Sequence, residues 1–360
     1  MKIKSLALQN FRNFSLQSFT FAQTNLIFGD NGVGKTSIIE AIYLLASATS
    51  FRAGKIEEML RLETDLGRVQ GLIDLEGVGD SSEEELKLEV MLTRGEVAGK
   101  RTQYRLFAMN DVRRRKKDFL AFFKAVVFRP EDLRLVEGSP GRRRDFLDSA
   151  LCMVSSDYDL ALSRYQQTLK RRNRLLQKVS EGQETVEVLS FWNTNLLKNG
   201  EILQQQRANF IDFIREVVFP FELNIAYEPS VISAARQQEY LAKEIMLGHS
   251  LIGPHKDDFS LNFLEEAKGI HDLSLLAYGS RGQQRLGVLW LKMAELQFLT
   301  DKIGYQPVLL LDDVLSELDE HSQAMVLSLL ENYQSILSTA DVDVLRSLQT
   351  KIPMLKVIKL

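Results

Sequence analysis

Cysteine and histidine are scarce in this sequence. Among 360 residues there are 1 Cys, at position 152, and 4 His, which excludes an internal disulfide framework and gives no support for a zinc site. No apolar run reaches the roughly 18 to 20 residues that a membrane-spanning helix needs. Residues 1–6 lack the apolar stretch of a signal peptide. We therefore expect a cytoplasmic protein without a membrane partner.

Neither sign of charge dominates. The 45 Lys and Arg residues nearly balance 48 Asp and Glu residues, for a net charge of −3, which argues against a strongly basic nucleic-acid binder. The distribution of charge says more about DNA binding than the net charge does, because an acidic chain can still carry one positive face. For any one basic cluster, DNA contact and ordinary solvated charge are equally good interpretations. The candidate DNA contacts are Arg113, Arg114, Arg115, Lys116, Lys117, Arg142, Arg143, Arg144, Arg171 and Arg172.

Hydrophobic periodicity predicts an α/β protein with a helical insertion. The first hundred residues alternate as strands do, apart from one helix over about 34–48. A continuous apolar strand at 308–311 restores α/β character near the C-terminus. We predict a head made of residues 1–129 and 249–360, and an insertion made of residues 130–248.

Two leucine series within the insertion predict a short antiparallel helical hairpin. Each series repeats every seven residues, and a polar stretch at 179–184 separates them. A coiled coil and two ordinary amphipathic helices of a small bundle both fit this pattern. The residues concerned are Leu162, Leu169 and Leu176, then Leu189, Leu196, Leu203 and Phe210.

Residues 29–36 fit the phosphate-binding pattern G-x-x-x-x-G-K-[ST] between a predicted strand and a predicted helix. Glycines allow backbone N–H groups to surround phosphates, the lysine supplies positive charge, and the hydroxyl of Thr36 is a ligand for Mg²⁺. The sequence thus predicts a site for ATP and Mg²⁺. Its candidate nucleotide-binding residues are Gly29, Asp30, Asn31, Gly32, Val33, Gly34, Lys35, Thr36 and Ser37.

A second carboxylate motif ends the apolar strand at 308–311. Asp312 and Asp313 follow this strand, at the edge where parallel sheets gather their ligands. Asp312 is expected to hold Mg²⁺ with Thr36, and Asp313 to orient or deprotonate the attacking water. With Lys35, these two carboxylates are the predicted catalytic residues.

A third motif, at 278–284, joins a loop of small residues to the start of a helix, where exposed N–H groups favour an anion. Ser280, Gly282 and Gln283 are its candidate nucleotide-binding residues, and a simple N-cap is the alternative interpretation. The order of the three motifs resembles that of ABC-type ATPase heads. In such heads the third motif caps a nucleotide bound by a second subunit, so the resemblance implies an ATP-dependent homodimer.

Further stretches resemble the RecF family of bacterial recombinational-repair ATPases. They are LQNFRNF at 8–14, RPEDL at 129–133, GSP at 138–140, RRRDFLD at 142–148, LIGPHKDD at 251–258 and SRGQQ at 280–284. The resemblance covers nearly the whole chain. It implies that Arg12 and Asn13 lie near the nucleotide phosphates.

The resemblance also implies a function. Members of this family bind DNA as an ATP-dependent dimer at junctions of single- and double-stranded DNA, and with RecO and RecR they load RecA, supporting replication restart and the SOS response. A weak, DNA-stimulated ATPase is expected, because Asp313 is shorter than the usual Glu and Thr339 stands where a switch histidine is usual. The alternative is the head of another SMC-like or ABC-type machine, associated with a nuclease or driving a transporter.

Overall fold

The computed structural model describes residues 1–75, 85–97, 99–219, 222–265 and 270–360. Packing divides the chain into two compact units. The first unit comprises Met1–Asp132 and Leu299–Leu360, and the second comprises Leu133–Phe298.

The first unit contains one sheet of N-terminal strands and one sheet that combines strands from both ends of the chain. Its N-terminal elements are β1 (Lys2–Phe11), β2 (Phe14–Thr20), β3 (Thr24–Phe28), α1 (Lys35–Ser47), β4 (Leu66–Asp74), β5 (Glu85–Thr93), β6 (Glu96–Val97), β7 (Lys100–Arg101), β8 (Arg105–Met109), β9 (Val112–Arg114), α2 (Lys116–Phe119) and β10 (Ala125–Phe128).

The second unit contains most of the helices. Its elements are α3 (Pro140–Val154), α4 (Ser156–Ser180), α5 (Ser190–Glu216), β11 (Leu223–Glu228), α6 (Ala234–Leu247), β12 (Asp258–Glu265), β13 (Ile270–Ser274), α7 (Leu275–Tyr278) and α8 (Arg281–Ile303), which ends in the first unit. The chain closes with β14 (Val308–Asp312), α9 (Glu320–Leu329), β15 (Ser335–Thr339), α10 (Val342–Lys351) and β16 (Lys356–Lys359).

An antiparallel sheet and a parallel sheet form the first unit. The antiparallel sheet has the order β2-β1-β4-β5-β8-β9, and the parallel sheet has the order β10-β14-β15-β3-β16. Strands β3, β10, β14 and β15 are almost wholly buried, as expected for parallel strands covered on both faces. Strand β3, which precedes the phosphate-binding pattern at 29–36, pairs with β15 and β16. The loop formed by residues 29–36 therefore lies at the carboxyl edge of the sheet.

Helices α4 and α5 pack as the predicted antiparallel hairpin. On α5, Leu196, Leu203 and Phe210 are buried as the spacing of seven predicted. On α4, Leu162 and Leu169 of the leucine series are only half-buried. The buried face of α4 instead consists of Tyr158, Ala161, Tyr165, Thr168, Arg172 and Leu176.

Each helix of the hairpin also carries one buried arginine. Arg172 pairs with Glu244 of α6 at 2.6 Å. Arg207 of α5 pairs with Asp148 at 2.8 Å and with Asp257 at 2.9 Å. These ion pairs join the hairpin to residues outside it, so α4 and α5 pack as amphipathic helices of a small bundle.

The division by packing differs from the predicted division at its second boundary. Residues 249–298 group with the helical unit, although the sequence suggested that they return to the head. The physical reason is pairing: β12 forms a six-residue antiparallel ladder with β11, from Leu223–Phe263 to Glu228–Asp258. The first boundary, at 132/133, lies close to the predicted one.

Candidate nucleotide-binding site

The phosphate-binding loop joins β3 to α1, and its backbone requires two of its glycines. Gly32 has φ +86° and Gly34 has φ +117°, conformations that side chains with a Cβ rarely adopt. A Cβ at Gly34 would also lie 2.7 Å from the ring of Phe14 and 2.8 Å from the amide of Asn13. Close packing and backbone conformation therefore both favour glycine at this position.

Lys35, the first residue of α1, is turned back over the loop. Its ammonium donates to the carbonyl oxygens of Gly29 at 2.9 Å and of Asp30 at 3.0 Å. The side chain is largely buried, which holds one positive charge beside the loop's N–H groups. This is the arrangement that phosphate oxygens require.

The two aspartates that end β14 lie beside the loop. Thr36 donates its hydroxyl hydrogen to Oδ1 of Asp312 at 3.0 Å, and Ser338 at the end of β15 donates to the same oxygen at 2.7 Å. Burial raises the pKa of Asp312, and the neighbouring Asp313 raises it further, while the bonds from Ser338 and Thr36 oppose this shift.

Asp313 adopts a left-handed backbone conformation, with φ +52°. Its N–H donates to the Ser338 carbonyl at 3.2 Å and to the Ser338 hydroxyl at 3.1 Å. Burial raises the pKa of Asp313, and the charge of Lys35 and a hydrogen bond with Thr339 lower it. The position expected for a switch histidine is thus occupied by a hydroxyl that contacts the candidate catalytic carboxylate.

The oxygen atoms of Thr36 and Asp312 fit a magnesium ion. Mg²⁺ prefers hard oxygen ligands, commonly one or two carboxylates together with phosphate oxygens. Asp312 is a buried carboxylate, and the described residues offer it hydroxyl donors but no Lys or Arg within salt-bridge distance. A bound dication would offset the electrostatic cost of this burial.

A cavity of about 570 Å³ connects the loop with both aspartates. Volumes of this size are typical of small-molecule sites. The lining residues all belong to the first unit and are Asn31, Gly32, Gly34, Lys35, Thr36, Ser37, Phe51, Arg52, Arg129, Pro130, Glu131, Asp312 and Asp313.

Five of these residues were not predicted as site residues. The Arg129 guanidinium lies 4.9 Å from the centre of the Phe51 ring, donates to the Phe51 carbonyl at 3.0 Å and pairs with Asp132 at 2.8 Å. Arg129, Pro130 and Glu131 directly follow β10, a position from which a nucleotide site could have been anticipated. Phe51 and Arg52 follow α1 and carry no comparable sequence signal.

Arg12 and Asn13 lie beside the loop but do not line the cavity. Asn13 donates its amide to the carbonyl of Val33 at 2.8 Å. Arg12 has φ +53° and forms two hydrogen bonds, of 2.8 and 2.6 Å, with the buried carboxylate of Glu40 on α1. The phosphate contact of these two residues stays a prediction.

The third motif begins α8 with a reciprocal cap. The N–H of Ser280 donates to the side-chain oxygen of Gln283 at 2.8 Å, and the N–H of Gln283 donates to the Ser280 hydroxyl at 3.3 Å. Both residues are exposed. This cap is the N-cap that the sequence offered as the alternative interpretation, and it uses the N–H groups of Ser280 and Gln283. The nucleotide contact of Ser280, Gly282 and Gln283 stays a prediction.

The basic clusters differ in exposure. Arg113, Arg114, Arg115, Lys117, Arg142 and Arg171 are exposed. Lys116 is half-buried. Three arginines of the second unit are held by carboxylate or carbonyl oxygens. Arg143 forms bonds of 2.6 and 2.8 Å with Asp258, Arg144 donates to the Asp257 carbonyl at 2.8 Å, and Arg172 is buried with Glu244.

Comparison with known proteins supports the interpretation of these motifs. Residues 2–357 match the family described as the RecF/RecN/SMC N terminal domain. DNA replication and repair protein RecF of Agathobacter rectalis is 32% identical over 357 residues, covering 95% of this chain and 93% of that protein. The protein of the same name from Bacillus thuringiensis strain Al Hakam is 34% identical over 371 residues, with coverage of 95% and 93%.

Solved structures show the same relationship. The recombination mediator protein RecF with ATP, in the RecFOR pathway, has a TM-score of 0.80 at 28% identity, covering 94% of this chain and 92% of that one. The Smc head domain of Pyrococcus furiosus, bound to the C-terminal domain of ScpA, has a TM-score of 0.50 at 16% identity, with coverage of 96% and 91%, and shares the fold alone. No helix in the described ranges combines the length and apolar character needed to cross a membrane. The chain belongs to the RecF family and has the fold of an ABC-type ATPase head with a helical insertion.

Proposed function

We propose that this chain is an ATP-dependent DNA-binding protein of recombinational repair that acts in the cytoplasm. The hydrogen bond between Thr36 and Asp312, beside the ammonium of Lys35, carries the nucleotide part of the proposal. It joins the phosphate-binding loop to the carboxylate motif in one cavity. The relatives named DNA replication and repair protein RecF support the repair role.

Four side chains of the cavity have chemical roles in this proposal. Lys35 and the loop N–H groups neutralise phosphate charge, and Thr36 and Asp312 hold Mg²⁺. A bound magnesium ion supplies electrostatic stabilisation of charge on the phosphates. Asp313 orients the attacking water and accepts its proton, and its raised pKa makes it a better acceptor.

Hydrolysis is proposed to be weak, stimulated by DNA, and used as a timer. The carboxylate of Asp313 reaches less far than a glutamate would, and Thr339 provides a hydroxyl in place of an imidazole. Turnover is therefore expected below about 10 s⁻¹, the median value for enzymes.

Dimerisation is proposed to follow ATP binding. The exposed start of α8, with Ser280, Gly282 and Gln283, is the proposed contact for a phosphate held by a second copy of the chain, because the positive end of a helix favours an anion. Nucleotide would then stabilise the dimer by contacting both copies, and hydrolysis would release it.

DNA binding is proposed to use the exposed cations of the basic clusters described above. Their charges neutralise DNA phosphates, which releases counterions and supplies affinity independent of sequence. Junctions of single- and double-stranded DNA at gaps are the proposed sites, where the protein acts with RecO and RecR to load RecA, supporting replication restart and SOS induction. The ATP-bound RecF structure of the RecFOR pathway supports RecO and RecR as partners.

Sedimentation with and without ATP, alongside filter binding of labelled ATP, tests this proposal with two variants. Wild-type protein should bind ATP and sediment as a dimer. Ser280→Arg should bind ATP yet stay monomeric, because the new side chain fills the phosphate position of the partner. Lys35→Ala should lose both properties. ATP-dependent dimers of Ser280→Arg, or wild-type affinity of Lys35→Ala, would contradict the proposal.

A further inference from the structure

One side of the α4–α5 hairpin combines cations with aromatic rings. Arg164, Arg171, Arg174 and Lys178 follow one another at helical spacing along α4, and all four are exposed. Phe191 and Trp192 lie in the first turn of α5. We call these six residues the basic-aromatic face.

The charge on this face is of one sign. Residues 160–180 contain no Asp or Glu, and neither do residues 190–200. Among the described residues, Arg164, Arg171 and Arg174 have no carboxylate partner, whereas Lys178 lies 3.8 Å from Glu184. Carboxylates return only in the turn, at Glu181, Glu184 and Glu187. The cations therefore remain available to an anionic ligand.

The aromatic rings are placed beside these cations. The Arg171 guanidinium lies 5.6 Å from the Trp192 ring centre. The Phe191 ring meets Trp192 edge to face at 5.1 Å and 85°. Phe191 is nevertheless 66% exposed, so an apolar ring held against a fixed neighbour faces solvent, where it has a free surface for stacking.

We propose that the basic-aromatic face binds single-stranded DNA, a step that rests on the DNA-binding function proposed above. Arg164 to Lys178 spans about 21 Å of helix, enough to follow several nucleotides of a backbone. Unpaired bases can stack on Phe191, whereas the bases of a duplex are already stacked on each other. Phosphate contacts alone would not distinguish the two forms of DNA, so the exposed ring favours the single strand.

The first test measures fluorescence anisotropy of a labelled 20-nucleotide oligo-dT and of a blunt 20-base-pair duplex, with full-length protein, ATP and fixed salt. Phe191→Ala should weaken oligo-dT binding by about 5- to 100-fold and change duplex binding by less than about twofold. Phe191→Tyr should retain wild-type affinity because it keeps a ring. Arg174→Ala should reduce by about one the number of phosphate contacts that the salt dependence of oligo-dT binding reports.

Two exposed residues of the first unit serve as matched controls. Tyr104→Ala removes an exposed ring, and Lys351→Ala removes an exposed cation from α10. Neither should change binding of oligo-dT. These controls separate the basic-aromatic face from a general effect of surface charge or surface apolar area.

A second readout reports stacking itself. The chain has 2 Trp residues, and Trp290 is buried, so Trp290→Phe leaves Trp192 as the sole indole. Oligo-dT should quench its fluorescence at the concentrations that raise the anisotropy. Binding without quenching would mean that no base lies near the rings.

The outcomes separate this inference from the proposed function. If Phe191→Ala binds oligo-dT like wild type, or loses oligo-dT and duplex affinity equally, the inference is wrong even when ATP-dependent DNA binding persists. If Arg164, Arg171 and Arg174 can all be replaced by Ala without effect on DNA, the face serves another partner and the inference is also wrong. If wild-type protein binds neither oligo-dT nor duplex, both this inference and the proposed DNA-binding function are wrong.

Discussion

Thr36 and Asp312 are 276 positions apart in the chain, yet the hydroxyl of Thr36 lies 3.0 Å from Oδ1 of Asp312. Thr36 is the second residue of α1, and Asp312 is the last residue of β14. Parallel pairing of β14 with β15, and of β15 with β3, brings their carboxyl ends to one edge. Two motifs that are incomplete alone thus form one site for a nucleotide and a hard cation.

Replacing Asp313 by Asn should abolish ATP hydrolysis while leaving ATP binding intact. Asn has the same size and tolerates the left-handed conformation of Asp313, but its amide cannot accept a proton from water. We expect a loss of at least about 100-fold in turnover, with ATP-bound dimers accumulating. Phosphate release and sedimentation measure the two effects. Normal hydrolysis by Asp313→Asn would exclude this residue as the base.

Removing the Ser338 hydroxyl should weaken magnesium binding. This hydroxyl donates to Asp312 at 2.7 Å and accepts from the N–H of Asp313 at 3.1 Å. Without it, the pKa of Asp312 should rise further, because one bond to its charged form is lost. Ser338→Ala should raise the Mg²⁺ concentration for half-maximal ATP hydrolysis by about tenfold or more.

Ser335→Ala is the matched control for this magnesium titration. Ser335 is also buried on β15, but its hydroxyl donates to the Tyr333 carbonyl at 2.9 Å and not to a carboxylate. Equal magnesium requirements in the two variants would contradict the role assigned to Ser338.

Arg172 should contribute to folding and not to DNA binding. Its guanidinium is buried and contacts Glu244 at 2.6 Å, Ser250 at 2.7 Å and Asn193 at 2.7 Å. Arg172→Ala leaves the Glu244 carboxylate buried without its partner, which should reduce the free energy of unfolding by about 3 to 5 kcal/mol.

Arg171→Ala provides the comparison, because this neighbouring guanidinium is exposed and its loss should change the free energy of unfolding by no more than about 0.5 kcal/mol. Urea unfolding measures both variants. A stable Arg172→Ala protein with impaired DNA binding would show that the sequence-based assignment of Arg172 to DNA was right and the structural role wrong.

His255 should make the stability of the second unit depend on pH. Its Nδ1 lies 2.8 Å from the Tyr165 hydroxyl and its Nε2 lies 3.2 Å from the Ser250 carbonyl, which fits a neutral ring. Burial lowers the pKa of His255 to about 4, from 6.5. As the pH falls, His255 is therefore protonated in the unfolded chain before it is protonated in the folded protein. The stabilisation by neutral His255 is complete above pH 6.5 and is lost as the pH falls toward 4.

His255→Gln removes this titration and keeps polar atoms at the site. Between pH 6 and pH 5, wild-type stability should fall more steeply than that of the variant by about 1 kcal/mol per pH unit. Urea unfolding at several pH values gives both slopes. Parallel slopes would show that His255 does not titrate as its burial requires.

Features that depend on neighbours in sequence were largely predictable. The P-loop is followed by α1 at Lys35, within one residue of the predicted start, because the pattern of glycines, Lys and apolar residues is local. The apolar run at 308–311 forms β14 as expected. The hairpin was predicted from its leucine spacing, since amphipathic helices show their period in the sequence.

Features that depend on residues distant in sequence were not predictable. Leu162 and Leu169 looked like seam residues, but Arg172 and Tyr165 occupy the buried face because Glu244 and His255 provide partners for them. Phe51 and Arg129 meet at the nucleotide cavity although 78 positions separate them. The assignment of 249–298 by packing likewise follows from β11, which no local pattern connects to β12.

The most direct test of the central claim is the anisotropy of a labelled gapped duplex against protein concentration, at fixed salt, first with ATP and then with ADP. The account predicts tighter binding with ATP than with ADP, and weaker ATP-dependent binding when the salt concentration is raised, because exposed cations displace counterions from the DNA. Equal affinity with ATP and ADP would separate the nucleotide site from DNA binding and contradict the account.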